Sequence, residues 1–396
     1  MNNTPNANRK HIVIYGKTNS GKSSLINRIV GQSVALVSKK EGTTTDPVSK
    51  AMELIPVGPV LFIDTAGLSD TTELGDKRIH KTYDLLKRTD IALYLMDAMD
   101  LDLNEYNKTV EKFKDYDIDH LLIINKIDKI SEDKIKEIKA KFPKAVFIST
   151  LDDIGIEELK REIAKKVEED EKEVSLIGEL LPAGSRVVLV VPVDSEAPKG
   201  RLILPQVQCI RDCLDNGMKS YVVRDTELAE ALTELKNVDL VVTDSQAFAR
   251  VDKIVPKDIK ITGFSMLFAR QKGDIYEFIN GVNAIRNLKE NDKVLFLESC
   301  THNVSHEDIG RVKIPKMLQK YLGYNLDFTY KVSYDFPEDI SEYKLVIHCG
   351  ACMINRKTVI NRINECKENN VPITNYGVIL SFLTGTLERS KDIFYK

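Results

Sequence analysis

Cysteine is scarce in this chain. Six in 396 residues is far too few for the disulfide framework that stabilises small secreted domains, so that class of scaffold is excluded. Long apolar runs are missing too: none approaches the roughly 20 residues that a membrane span needs. The opening stretch, MNNTPNANRKH, has none of the apolar character of a signal peptide. Nor does one sign of charge dominate. Lys+Arg number 57 against 60 Asp+Glu, a net −3, which excludes a general polyanion binder and leaves room only for a local basic groove. The expectation is a cytoplasmic protein with reduced thiols and with neither a membrane nor a nucleic-acid partner. In such a compartment the spacing of cysteines says more than their number.

At roughly 150 residues per domain, a chain of this length holds two or three domains. The first part alternates strand-like apolar runs with helical patterns. HIVIYG (11–16) is followed by SSLINRIV (23–30) with helical spacing. A hairpin is read from MELIP (52–56), a Val-Gly-Pro turn and VLFID (60–64). IALYLMD (91–97), HLLIINK (120–126) and AVFIS (145–149) are further runs of strand length. This predicts a mostly parallel sheet with helices on both faces. The charge run AKKVEEDEKEV (164–174) is read as a solvated helix end without an apolar face and marks the first boundary, with SLIGELLPAGS (175–185) as linker.

Strands resume at RVVLVVPV (186–193), YVVR (221–224), DLVVT (239–243) and IKITGF (259–264), with helices over 204–214 and 226–235. A third set comprises helices near 273–287, over 308–322 and over 357–366, with strands KVLFLES (293–299), YKLVIH (343–348) and VPIT (371–374). The expected fold is α/β: a larger first domain (1–174) followed by two smaller α/β domains (175–270 and 271–396). No repeat is visible at the level of sequence.

The chemistry begins at Gly16-Lys17-Thr18-Asn19-Ser20-Gly21-Lys22-Ser23, which fits GxxxxGK[ST] between a strand and a helix. The glycines let backbone N–H groups curl round phosphate oxygens. Lys22 reaches the β/γ phosphates, the Ser23 hydroxyl binds Mg²⁺, and the helix start that carries Ser23 and Ser24 adds a favourable dipole. Asp64-Thr65-Ala66-Gly67 ends another strand, where Asp64 holds Mg²⁺ through water and the Gly67 amide senses the γ-phosphate. Thr44, in Gly42-Thr43-Thr44-Thr45-Asp46, is taken as the switch threonine on Mg²⁺. Asn125-Lys126-Ile127-Asp128 ends a further strand. A carboxylate at Asp128 accepts hydrogen bonds from guanine N1–H and the 2-amino group, a donor pair that adenine lacks, so the motif argues for GTP. Ser149 and Thr150 are read as completing the base pocket.

This order of motifs resembles the P-loop GTPases over residues 10–165, and within them the branch of Era, EngA and MnmE. Leu68 follows the Asp64–Gly67 motif where Ras-like enzymes carry a water-orienting glutamine, and Leu68 cannot hydrogen-bond to a water. Asn19 lies inside the P-loop, and in K⁺-dependent members of the branch the matching Asn helps hold a potassium ion near the phosphates. The resemblance therefore implies K⁺-stimulated hydrolysis, with Asn19, Lys22, Thr44 and Gly67 as the catalytic set. Glu73 is read first as an exposed loop acid and second as a water-orienting group.

A second constellation lies near the other end. Cys300-Thr301-His302 follows KVLFLES, and His348-Cys349-Gly350-Ala351-Cys352 follows YKLVIH. Both fall at the carboxyl ends of strands, where ligand sites of α/β domains form. Thiolate and imidazole are ligands of zinc and of iron–sulfur clusters alike, and local spacing does not choose between them. Cys209 and Cys213, four apart on one helix, are read as a buried apolar stripe, and Cys366 as packing alone.

The wider pattern, CxH, then residues 303–347, then HCxxC behind a GTPase, resembles the HydF family of FeFe-hydrogenase maturation GTPases over the whole chain. The resemblance implies a 4Fe-4S cluster on Cys300, Cys349 and Cys352, a dimerisation domain in the middle and a homodimer or higher homo-oligomer. It implies a scaffold that receives a di-iron subcluster precursor from two radical-SAM maturases and passes it to apo FeFe-hydrogenase. The fourth iron site would then be exchangeable, with His302, His348 and Glu307 as candidates. Glu307 is also read as a cap for the helix that starts near Asp308. If VPIT neighbours the other two strands, Asn375 and Tyr376 line the mouth of the site. The alternative is an RNA- or ribosome-associated GTPase with a structural zinc domain. It expects a basic groove with interleaved aromatics, and none is visible in the third part.

Overall fold

A computed structural model describes residues 4–31, 48–65, 85–170, 174–192, 202–299 and 308–395. The chain forms two compact units, 1–172 and 173–396. In the first, six strands lie in the order β2-β3-β1-β4-β5-β6. They are β1 (Lys10–Tyr15), β2 (Val48–Leu54), β3 (Gly58–Asp64), β4 (Ile91–Asp97), β5 (Asp119–Asn125) and β6 (Val146–Phe147). Only β2 runs antiparallel, to β3. The helices are α1 (Lys22–Val30), α2 (Leu103–Asp115), α3 (Glu132–Lys141) and α4 (Ile156–Asp170).

Successive side chains of a strand point to opposite faces, and both faces here are covered. Ile12 and Ile14 of β1 join one core with Leu25 of α1 and Ile163 of α4, whereas Val13 and Tyr15 join another with Phe113 of α2 and Ile138 of α3. This is the continuous apolar strand of a sheet buried on both sides. The charge run differs from expectation. Ala164 and Val167 within it are buried, so α4 keeps an apolar stripe almost to its end. The hairpin also differs: its turn is Ile55–Val57, and β3 already begins at Gly58. Pro56, without a donor and with a fixed φ, suits a turn better than a ladder.

The second unit carries two parallel four-stranded sheets. One has the order β10-β9-β7-β8 and the other β12-β11-β13-β14. The first uses β7 (Arg186–Val190), β8 (Lys219–Val223), β9 (Leu240–Thr243) and β10 (Lys260–Gly263), with α5 (Leu204–Asp215), α6 (Leu228–Glu234) and α7 (Phe248–Ile254). Then come α8 (Phe264–Lys272) and α9 (Ile275–Val282). The second sheet uses β11 (Lys293–Glu298), β12 (Asp327–Val332), β13 (Leu345–His348) and β14 (Ile373–Asn375), with α10 (Ile314–Leu322), α11 (Arg356–Glu368), α12 (Tyr376–Leu383) and α13 (Leu387–Lys391). One apolar core runs through both sheets, from Val187 and Leu189 through Leu267 of α8 to Leu295 and Ile347. It also contains Cys209, Cys213 and Cys366, so these three cysteines pack.

The helix expected over 308–322 opens with a π-turn over Ile309–Lys313, and only then continues as α10. Asp308 caps it, its carboxylate accepting the Arg311 N–H at 2.7 Å. The capping role considered for Glu307 is therefore filled by its neighbour.

Candidate functional site

The P-loop leaves β1 at Gly16 and enters α1 at Lys22. Two of its glycines are required by geometry. Gly16 has φ +142°, and a Cβ there would lie 2.2 Å from the Leu95 carbonyl oxygen. Gly21 has φ +100°, and a Cβ would lie 2.4 Å from Asn125 Nδ2. Asn19 takes a left-handed φ of 65°, a conformation that Asn tolerates better than most residues. It is exposed, and so are Ser23 and Ser24 in the first turn of α1.

Lys22 folds back over its own loop. Its Nζ donates to Gly16 O at 2.9 Å and Lys17 O at 2.8 Å. Burial pushes its pKa down to about 8, with the Asp64 carboxylate pulling the other way. Ser23 Oγ–H donates to Asp64 Oδ2, so the two expected Mg²⁺ groups meet, brought together by the β1–β3 pairing. Burial holds the Asp64 carboxyl above its usual range, against the Ser23 hydrogen bond and Lys22. Asp64 Oδ1 and Ser20 Oγ are buried and have no hydrogen-bond partner among the described residues. A buried oxygen left without a partner is costly. One unmet acceptor on the carboxylate and one unmet hydroxyl in the loop fit a hydrated Mg²⁺ and a phosphate.

The base side is tied to the phosphate side. Asn125 is buried, donates from Nδ2 to Ser20 O at 2.9 Å and accepts the Thr150 N–H at 3.2 Å. Lys126 donates to Asn19 O and to Asp97 Oδ2, each at 2.7 Å. Ser149 Oγ–H donates to Asp128 Oδ1 at 2.7 Å, leaving this exposed carboxylate oriented with a second oxygen toward solvent. Three contacts were not foreseen. Lys17 pairs with Asp100 at 2.9 Å and Asp102 at 2.8 Å, and Arg28 donates to Thr150 O at 2.9 Å. The signal for Asp102 was present as Asp102-x-x-Glu105 before an apolar-periodic run, the pattern of a helix cap, and Asp102 does accept the Glu105 N–H. Thr44, Gly67, Leu68 and Glu73 lie outside the described residues.

In the second unit, β11 and β13 are parallel neighbours with Leu297 opposite His348, and β14 lies next, with His348 opposite Asn375. The three strand ends therefore adjoin, which meets the condition set for Asn375 and Tyr376. Cys349 is anchored by its own N–H on Leu297 O at 2.9 Å. Its sulfur receives the Ser299 N–H at 3.1 Å and the Ala351 N–H at 3.4 Å, with Ser299 Oγ at 3.1 Å. Burial raises this thiol, while those three groups favour the thiolate. Backbone donors aimed at sulfur fit a metal-bound thiolate. Cys352 is partly exposed. Cys300, His302 and Glu307 lie outside the described residues, and among the described ones no group of three His, Cys, Asp or Glu gathers.

His348 is fully buried, and both ring nitrogens are engaged. Nδ1–H donates to Cys349 O at 2.8 Å, and Nε2 accepts from Arg362 Nη1 at 3.0 Å. Burial, with the Arg362 charge second, pushes its pKa down to about 3. Ligation through His348 would break one of these bonds. Asn375 is committed to capping α12, accepting the Val378 N–H at 2.9 Å. Tyr376 Oη approaches Glu298 Oε1 at 3.5 Å, and Cys349 is the leading charge that acts on the phenol. The stripe of Cys209 and Cys213 behaves as read. Both thiols are raised by burial, Cys213 to about 11, and Cys366 likewise to about 12.

Residues 11–126 match the family model described as 50S ribosome-binding GTPase. Residues 176–273 match the hydrogen maturase F dimerization domain, and 276–393 the hydrogen maturase F tetramerization domain. Among curated proteins, the tRNA modification GTPase MnmE of Flavobacterium psychrophilum is 32% identical over 157 residues, covering 38% of this chain and 34% of that protein. MnmE of Thermotoga maritima is 36% identical over 165 residues, covering 40% and 36%. The chain thus spans about a third of the length of these relatives. Among solved structures, Era in complex with MgGDPNP and a 16S ribosomal RNA segment overlays at TM-score 0.34, with 20% identity over 54% of this chain and 91% of that one. The G domain of the T. maritima FeoB iron transporter overlays at 0.31, with 23% identity over 41% and 99%. No helix among the described residues is long and apolar enough to cross a membrane.

The first unit is therefore a GTPase domain with a site for GTP and Mg²⁺, and the second carries domains for self-association. With an assembly pair covering 176–393 behind a GTPase, the chain belongs to the hydrogen maturase F (HydF) family.

Proposed function

We propose that the chain is a cytoplasmic scaffold and carrier that holds a 4Fe-4S cluster on Cys300, Cys349 and Cys352. It receives a di-iron subcluster precursor and transfers it to apo FeFe-hydrogenase. Two radical-SAM maturases are the proposed donors of that cargo, and copies of this chain its partners in assembly. The observation that carries the reading is the Cys349 sulfur. It sits at the carboxyl end of β13 beside the end of β11, with two backbone N–H groups aimed at it. A bound cluster would supply one exchangeable iron site, for which Glu307, His302 and His348 are the candidates. Of these, His348 is the least available, since both nitrogens are spent.

In the nucleotide site, Ser23, Thr44 and Asp64 are proposed to hold Mg²⁺, Lys22 and the Gly67 amide to meet the γ-phosphate, and Asn19 to help hold K⁺. Asn125, Lys126, Asp128, Ser149 and Thr150 would enclose the guanine. GTP turnover is read as gating partner exchange through the switch loops, which change shape with the γ-phosphate. The proposed division is 1–174 for GTP, 175–270 for dimerisation and 271–396 for the cluster.

Anaerobic iron and sulfide analysis, with EPR of the reduced protein, tests the main reading. Iron and sulfide with a cluster signal are expected. Zinc without iron would overturn it in favour of an RNA- or ribosome-associated GTPase with a structural zinc domain. GTPase rates are expected to be higher in KCl than in NaCl, and equal rates would remove the role of Asn19. Truncation near residue 175 is expected to keep GTPase activity and abolish iron binding.

A further inference from the structure

Arg362, on α11, is buried, yet among the described residues none of its partners is a carboxylate. Nη1 donates to His348 Nε2 at 3.0 Å, and Nη2 to Ser333 O at 2.8 Å and Asp335 O at 3.3 Å. Its guanidinium lies over the Phe336 ring, 5.7 Å from the centroid. Other guanidiniums of this unit are compensated. Arg311 meets Glu298, Arg389 meets Asp252 and Arg270 meets Glu179. Arg356 also binds only carbonyls, but they are those of Arg270, Gln271 and Gly273 at the end of α8, where the helix dipole supplies negative charge. Arg362 has neither kind of relief.

A buried cation that only carbonyls and an imidazole solvate is expensive unless a counterion lies close. Of the titratable groups around Arg362, the Cys349 sulfur acts on it most strongly, ahead of Tyr334, Cys366 and Asp335. The link is also structural. His348 accepts from the guanidinium and donates to Cys349 O, so the imidazole fixes the cation relative to the residue that carries the thiolate.

We propose that Arg362 is the built-in countercharge of the cysteine site. Its fixed positive charge offsets the negative charge of the thiolate-ligated cluster and favours the reduced form, and His348 acts as the positioning residue between them. The inference rests on the cluster reading given above. A nearby cation stabilises whichever state is more negative. Removing it should make reduction harder.

The test uses the full chain, reconstituted anaerobically and titrated with dithionite in the presence of redox mediators, with the reduced cluster followed by EPR. Arg362→Gln and Arg362→Met remove the charge. The Met variant leaves no charge to desolvate in the buried volume, and so keeps the test open if the Gln variant folds poorly. Arg362→Lys keeps the charge. Both neutral variants are expected to load iron and to shift the midpoint potential to more negative values, with the Lys variant lying between them and the unsubstituted protein. A loaded neutral variant with an unchanged or raised potential overturns the inference and leaves the cluster reading intact. An unsubstituted protein without iron overturns both.

Discussion

The nucleotide site and the cysteine site are held together in opposite ways. In the first, loops from β1, β4, β5 and β6 are laced together by their own groups: Asn125 to Ser20, Lys126 to Asn19 and Asp97, Ser149 to Asp128. The polar groups bind each other, and among the described residues the buried Ser20 Oγ and Asp64 Oδ1 are left for a ligand. In the second, one sulfur collects donors from two strand ends, next to a buried cation that has no carboxylate partner among the described residues. A laced site fails when its backbone cannot take the required shape. A site built on one sulfur fails when that sulfur goes. Five substitutions separate these modes.

The largest effect is expected at Cys349. Cys349→Ala should abolish iron binding while GTP hydrolysis by the first unit persists. Cys213→Ala, in the same unit and more deeply buried than Cys349, should keep the full iron content and cost about 1 kcal/mol of stability, typical of a small core change. Iron analysis beside urea melts checks both. Iron retained in the Cys349 variant would end the contrast.

Next comes Gly21→Ala. The left-handed φ and the approach to Asn125 make the new methyl group strain the loop at its tie to the base side. Such strain is of order 1–3 kcal/mol, and a loss of GTP affinity of about 100-fold is expected, with iron loading unchanged. Titration with a fluorescent guanine nucleotide measures it.

How much of this was legible in the sequence follows the same division. The nucleotide motifs are contiguous, so Gly16–Ser23, Asp64 and Asn125–Asp128 can be placed from sequence, and so can the strand end at Cys349. Arg362 cannot. It sits in the polar helix 356–368 as one cation among several, and only the tertiary packing of α11 on β13 gives it a role. Among the elements, α8 escaped because six of its nine residues are buried, which erases the amphipathic period, and α12 for the same reason, since YGVILSFL reads as an apolar run of either kind. Strand β12 is a plainer miss. DFTYKV alternates polar and apolar residues along its length, a strand signal that was there to be read.

A smaller effect is expected from acid. His348 is held near pKa 3 in the folded chain against an ordinary 6.5. Between those values the unfolded chain binds a proton that the folded one refuses, so stability rises with pH and is lost as pH falls below about 6.5. At pH 5 the loss from this one group is about 2 kcal/mol. His11 in the first unit is shifted in the same direction, so the informative quantity is a difference. His348→Gln, which keeps an acceptor for Arg362, should lose about 2 kcal/mol less than the unsubstituted chain between pH 7 and pH 5. Equal losses would show that the imidazole is not the group that charges.

The smallest effect is expected from Lys17, and it sharpens the comparison most. Lys17 lies one residue after Gly16 and shares the loop with Lys22, yet the two lysines face different tasks. Lys22 is buried, and its pKa is pushed down to about 8 by desolvation, so its charge is worth most when a phosphate arrives. Lys17 is about a third exposed, and its pKa is raised by Asp102 and Asp100. Ion pairs at such exposure contribute about 1 kcal/mol or less. If the lacing of the nucleotide site resides in Asn125 and Lys126, Lys17→Ala should change GTP affinity by no more than about threefold, roughly 0.65 kcal/mol, and the small change should shrink further at high salt because exposed pairs are screened. A loss as large as that of Gly21→Ala would mean that α2, through Asp102 at its N-terminus, holds the P-loop in shape, and the loop would then be laced on the α2 side as firmly as on the base side.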